Sequence, residues 1–228
     1  MRIVWGLLRI AFAVAVAAAI IAQLSATIGK AQADGRSVAI VTTNFLSFFT
    51  IDSNSLTVVV LLIGAFLLLA RKGDDPRWFA ILRLCMTTYM ATTGVVYNLL
   101  LRNIELPQGS EPIPWSNEIL HLIGPVYIVL DWLLAPGRIP LPYWKSIRVV
   151  VIFPIVWVIY TLIRGPLVPN ELAGTPYWYP YPFLDPNNSL NGYLSVSFYV
   201  ILIATVIGLV AAAAIWVSRR KLTTVLPD

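Results

Sequence analysis

The chain holds one histidine, His121, inside the otherwise lipid-compatible stretch 117–131, and Pro125 follows it four residues later. An ionisable side chain in hydrocarbon is costly, so by default it faces a bundle interior or a cavity. The missing N–H of Pro125 leaves the His121 carbonyl without its helical partner, and the proline ring bends that turn. Imidazole ordinarily titrates near pH 7 and can serve as a base, and a threonine hydroxyl becomes a nucleophile only when a base takes its proton. Thr50 and His121 are therefore the minimum set for acyl transfer. Thr50 would attack an ester carbonyl, His121 would accept its proton and return it to the leaving alcohol, and water would release the acyl group. Asn54, Tyr97 and Asn98 are candidate donors to the oxyanion. Asn117 and Glu118, on the same helix as His121, are candidates to orient the imidazole. The plainer alternative is a histidine that only hydrogen-bonds a neighbouring helix.

The elements that must position these groups follow from composition. Of 228 residues, 58% are hydrophobic and 12% charged, against roughly a quarter charged in soluble domains. The expected fold is all-α: a polytopic membrane protein forming a single six-helix domain over residues 1–228. Crossing about 30 Å of hydrocarbon takes roughly 20 helical residues. Segments 4–28, 45–70, 79–102, 117–135, 147–164 and 194–217 meet or approach that length, the fifth being the shortest and carrying Pro154. The first resembles a signal peptide with Ala31-Gln32-Ala33 as its cleavage site, but its length favours a retained helix in which Arg9 snorkels back to the interface. Sorting the basic residues by loop puts twelve on one side (Arg2, Arg9, Arg71, Lys72, Arg77, Arg83, Arg138, Lys145, Arg148, Arg219, Arg220, Lys221) and four on the other (Lys30, Arg36, Arg102, Arg164). The positive-inside rule then makes both termini cytoplasmic.

Depth groups the polar residues. In the second segment Thr43, Ser47, Thr50, Asn54 and Thr57 fall on one helix face. At about 1.5 Å per residue, Thr50 lies about 7–8 Å below the outer surface, His121 about 6 Å, and Tyr97 and Asn98 about 6–8 Å. The third segment, with Thr87, Thr88, Thr92 and Thr93, reads as the central helix. The loop 177–186 (YWYPYPFLDP) is aromatic and stiff. It reads either as an interfacial belt or as a lid, with Tyr179, Tyr181, Asp185 and Arg164 as lid candidates and Asp185 or Arg164 closing it electrostatically.

Several classes are set aside. The net charge of +5 belongs to residues flanking apolar segments, which argues against nucleic-acid binding. A single cysteine, Cys85, and a single histidine permit no intrachain disulfide, no zinc set and no bis-histidine haem, so no metal and no cofactor is expected. The partners expected are membrane lipids or a lipid-ester substrate.

Phe48 to Leu56 (FFTIDSNSL), the His-bearing Asn117 to His121 (NEILH) and the six-helix plan resemble the androgen-induced protein family of integral membrane hydrolases. Thr93 to Leu100 (TGVVYNLL) and Trp178 to Pro186 resemble its bacterial branch. The resemblance implies a threonine-type hydrolase of fatty acid esters of hydroxy fatty acids, with Thr50 as nucleophile and His121 as base. Thr42 and Thr43, one to two turns earlier, are the alternative nucleophiles under a shifted alignment. From a different class, a non-enzymatic lipid or small-molecule carrier or sensor with a polar, helix-lined cavity is the competing reading.

Overall fold

The computed structural model describes residues 1–107 and 109–220; Lys221, in the tally of basic residues above, lies outside the described residues. It is an all-helical bundle with six helices long and apolar enough to cross a membrane. They are α1 (Arg2–Ala33), α3 (Phe49–Ala70), α4 (Arg77–Val96, extended by a π turn over Tyr97–Leu101), the composite span Pro114–Leu134, α7 (Tyr143–Arg164) and α8 (Tyr193–Arg219). The composite span consists of α5 (Pro114–Glu118), a π turn (Ile119–Ile123) and α6 (Gly124–Leu134). A short helix α2 (Val38–Phe45) precedes α3. The protein is thus an integral membrane protein, and its even number of spans puts Met1 and Arg220 on the same side.

Helix α4 is the hub, packing on α3, α6, α7 and α8, and its span is 67% buried against 17% for the peripheral α7. Its threonines and methionines supply that buried surface, as expected of a central helix. Helix α1 lies along α3 through a narrow stripe that includes Gly6, Ala13, Val16 and Ala19, small residues that let two backbones approach closely. At Gly64 a Cβ would come within 2.7 Å of both Arg9 Nη1 and Phe79 Cζ, so only glycine admits Arg9 between the helices.

That contact corrects the snorkelling expected of Arg9. Its side chain is fully buried and makes a bidentate pair with Asp131, Nε to Oδ1 at 2.7 Å and Nη2 to Oδ2 at 3.0 Å, while Nη1 donates to the Gly64 carbonyl at 3.0 Å. Arg83 completes the cluster, donating to Asp75 Oδ2 at 2.6 Å and to Asp131 Oδ2 at 3.0 Å. An arginine held between two helices in hydrocarbon is far better served by a carboxylate at its own depth than by a long reach to water.

Two further boundaries differ from the pattern-based ones. The second segment is not continuous from residue 45: α2 ends at Phe45 and α3 starts at Phe49. In the intervening turn the Ser47 hydroxyl donates to the Thr43 carbonyl at 2.7 Å and the Ser47 N–H bonds to Asn44, local bonds that compete with helix continuation. Thr43 is consequently exposed, and the buried polar face of α3 is Thr50, Ser53, Asn54 and Thr57. The fifth span is not the shortest. Tyr143–Leu167 runs through Pro154 because lipid offers an opened backbone no other hydrogen-bonding partner.

Candidate active site at the ends of α3, α4 and α5 away from the termini

The two π turns sit against each other and build the histidine's surroundings. Single π turns inside α-helices are frequent at functional sites. In the composite span, Gly124 N–H bonds back five residues to the Ile119 carbonyl, and Pro125 offers no N–H to His121. Asn98 Nδ2 supplies the missing donor, bonding the His121 carbonyl at 2.9 Å as well as the Gly94 carbonyl at 2.8 Å. Gly94 matters for the same contact, since a Cβ there would come within 2.9 Å of Pro125 Cβ.

The imidazole is held on two sides. Its ring stacks on Tyr97 with centroids 3.7 Å apart and planes 19° apart, and Nδ1 lies 3.0 Å from the Asn117 carbonyl. A carbonyl only accepts, so neutral His121 carries its proton on Nδ1 and presents the Nε2 lone pair as the base. The orienting group is thus the Asn117 backbone. Glu118 is instead paired with Arg102 at 2.8 and 3.0 Å.

Thr50 occupies the first turn of α3, where N–H groups lack intrahelical acceptors and the N-cap, Phe48, has no side chain to cap them. Tyr181 fills that role: the Thr50 N–H donates to Tyr181 Oη at 3.3 Å, and Thr50 Oγ1 lies 3.4 Å from the same phenol oxygen. Helix α3 and the His121 turn are neighbours, tied by Asn54 Nδ2 donating to the Leu120 carbonyl at 3.2 Å.

Two cavities meet at Thr50. One, of about 390 Å³, is polar at its rim and is lined by Gln23, Thr50, Tyr97, Arg102, Asn117 and His121. The other, of about 200 Å³, is apolar and runs between α4, α7 and α8 past Val96, Pro154, Val158, Val200 and Ile203. Thr50 and Tyr97 line both. Ile155 and Ala204, also on the apolar wall, are exposed on the outside of the bundle, so this cavity borders the lipid. Thr42 and Thr43 are on α2, and the Thr43 hydroxyl donates to the Ala39 carbonyl at 2.8 Å. Of the three hydroxyls considered, it is Thr50 that shares a cavity with His121.

The four substrate or oxyanion candidates, Asn54, Tyr97, Asn98 and Asn117, separate into two groups. Tyr97 and Asn117 reach the polar cavity, and there they bond each other, Asn117 Nδ2 to Tyr97 Oη at 2.8 Å. Asn54 and Asn98 do not qualify: each directs its amide hydrogens to two backbone carbonyls, Thr50 and Leu120 for Asn54, Gly94 and His121 for Asn98. They brace the helices that carry the site.

The aromatic loop lies over this layer, and of the two charged residues expected to close it, Arg164 holds it through Trp178 while Asp185 does not. Asp185 accepts from the Asn187 N–H at 2.8 Å and serves its own turn. Arg164 donates to Asn44 Oδ1 at 2.7 Å and stands over the Trp178 ring, fastening the loop to α2. Tyr179 packs directly on Gly165, where a Cβ would collide with its ring, and Tyr181 reaches inward to Thr50. Sequence reading missed that inward reach, and also missed Gln23, whose amide holds the 110–113 strip through Ser110, Glu111 and Ile113. Gln23 and Thr27, two polar residues four apart within an apolar helix, carried a signal for Gln23. In comparisons with family models, with curated proteins and with solved structures, no match to the chain was found.

Proposed function

We propose that the protein is a membrane-embedded hydrolase of lipid esters, with fatty acid esters of hydroxy fatty acids as the leading substrate class. The observation that carries this reading is the position of Thr50 in the wall between a lipid-bordering apolar cavity and a polar cavity holding His121. An ester has the same division, an acyl chain on one side of its carbonyl and an oxygen-bearing portion on the other. The acyl chain enters between α7 and α8, the carbonyl stops at Thr50, and water reaches it through the polar rim.

In the reaction, Thr50 Oγ1 forms a bond to the carbonyl carbon as its proton passes to His121 Nε2, and the carbonyl electron pair moves onto oxygen. Collapse breaks the bond to the alcohol oxygen, which takes the proton from His121. Water repeats the sequence and frees the fatty acid. The resemblance of 48–56 and 117–121 to the androgen-induced protein family supports the same pair. The bias of basic residues toward the end bearing both termini supports an orientation with that end cytoplasmic and the site in the outer leaflet, and the resemblance of 93–100 and 178–186 to the bacterial branch supports a bacterial inner membrane.

The test is fatty acid release by the purified protein from a branched fatty-acid ester in nanodiscs, with covalent labelling by a fluorophosphonate. Both are expected in the parent protein and absent from Thr50→Ala and His121→Ala. Full turnover in either variant removes that residue from the mechanism, and saturable ester binding without turnover in the parent protein favours the carrier reading.

A further inference from the structure

We propose that Tyr181 is a catalytic residue, its hydroxyl forming with the Thr50 backbone N–H the oxyanion hole of this reaction. The assignment rests on the Thr50 and His121 reading and adds the group that stabilises the charge their chemistry creates.

When Thr50 Oγ1 attacks, the carbonyl oxygen becomes negative within one bond angle of Oγ1. Donors there must already be in place, because their worth lies in needing no rearrangement as charge develops. Two groups able to donate lie beside Thr50 Oγ1. The Thr50 N–H belongs to the nucleophile itself and is one of the first-turn groups that α3 leaves without a carbonyl, whereas the next two, of Ile51 and Asp52, bond the Phe48 carbonyl at 2.9 and 3.2 Å. Its present acceptor is a phenol oxygen at 3.3 Å, a long bond that an oxyanion, a much stronger acceptor, would displace. The second donor is the Tyr181 O–H, 3.4 Å from Oγ1, on the same oxygen that accepts the Thr50 N–H.

Tyr181 is built to stay in place. It is 6% exposed, stacks on Phe183 at 5.2 Å and meets the edge of Phe48 at 5.6 Å, and it lies tilted against Trp157 at 6.0 Å. Burial pushes its phenol up to about 12, so at neutral pH it is an O–H donor and not a phenolate that would repel the oxyanion. It also lines the apolar cavity from which the acyl chain would arrive. The Asn54 and Asn98 amides are committed to backbone carbonyls, so neither competes for the role. No proton is transferred: the carbonyl pair becomes the oxyanion, both donors hydrogen-bond it, and both are released when the bond to the leaving alcohol breaks.

The test is Tyr181→Phe, which keeps the ring and its packing. Loss of one oxyanion donor lowers kcat by about 10²–10³-fold. The expected result is a fall of that size with KM nearly unchanged, a parallel loss of affinity for a trifluoromethyl ketone analogue that forms a tetrahedral adduct, and unchanged affinity for a non-hydrolysable ether analogue. The ether affinity reports a folded site independently of turnover. Tyr160→Phe, which removes a phenol bonded to Ser47 at 2.9 Å, is the control and keeps parental kcat. If Thr50→Ala is inactive while Tyr181→Phe keeps parental kcat and ketone affinity, the oxyanion assignment falls and the Thr50 reading stands. If Thr50→Ala retains turnover, both fall.

Discussion

The two ends of the bundle solve opposite problems with similar numbers of polar groups. At the end bearing the termini, Arg9, Arg83, Asp75 and Asp131 are joined by bonds of 2.6–3.0 Å. At the other end, Thr50 and His121 face open cavities, and the nearest phenol holds Thr50 at 3.3–3.4 Å. A buried charge left without its partner is expensive, so the first set must be complete for the fold to stand. Hydroxyls and a neutral imidazole are far cheaper to leave partly unmatched, and the unmatched capacity is what a substrate can use. The molecule keeps its fully buried charges where nothing moves and its buried neutral groups where something must bind.

The largest expected effect tests the open end. Thr50→Ala and His121→Ala lower kcat for ester hydrolysis by about 10⁴-fold or more, while thermal unfolding in detergent changes little. A matching loss of stability would mean that these residues hold the bundle together as the charge cluster does. Next is the closed end. Asp131→Ala strands two buried guanidinium groups and is expected to destabilise the protein by about 3–5 kcal/mol, read from unfolding midpoints, with kcat of the folded fraction retained. Asn98→Leu lies between the two behaviours. It leaves the His121 carbonyl unpaired, costing about 1–3 kcal/mol, and lets the imidazole shift, so stability and kcat fall together. Smallest is Asp185→Ala, which loses a turn bond worth about 0.5–1.5 kcal/mol and leaves turnover unchanged; a strong loss of activity would restore an electrostatic role in the lid.

Much of the architecture was readable because apolar length is a direct physical requirement of the bilayer. All six spans fall close to their expected positions, and α4 is central as its threonines implied. A departure from regular helix at His121 was also readable, since a proline four residues on must orphan that carbonyl; that it takes the form of a π turn and that Asn98 answers the carbonyl were not. Arg9 illustrates the limit of local rules. Taken alone it should reach for water, and its true partner is 122 positions away in sequence. Arg9, two turns inside α1, and Asp131, the carboxylate at the same end of the fourth span, were the available clue. Tyr181 illustrates the same limit at the site: an aromatic loop residue is compatible with a belt, a lid or a hydrogen bond to Thr50, and sequence spacing does not choose among them.

The π turn at Ile119–Ile123 has a geometric consequence for the helix as a whole. An α-helix advances about 100° per residue, and a wider turn advances less, so every residue beyond it lags the phase it would otherwise have. His121 lies within that turn and Asp131 beyond it, on one continuous span. The turn therefore fixes the azimuth between the imidazole and the carboxylate, and lets one helix aim its two ends independently. A regular helix of the same sequence could satisfy the site or the charge cluster with its own rotation about the axis, but would lose that separate setting for the other.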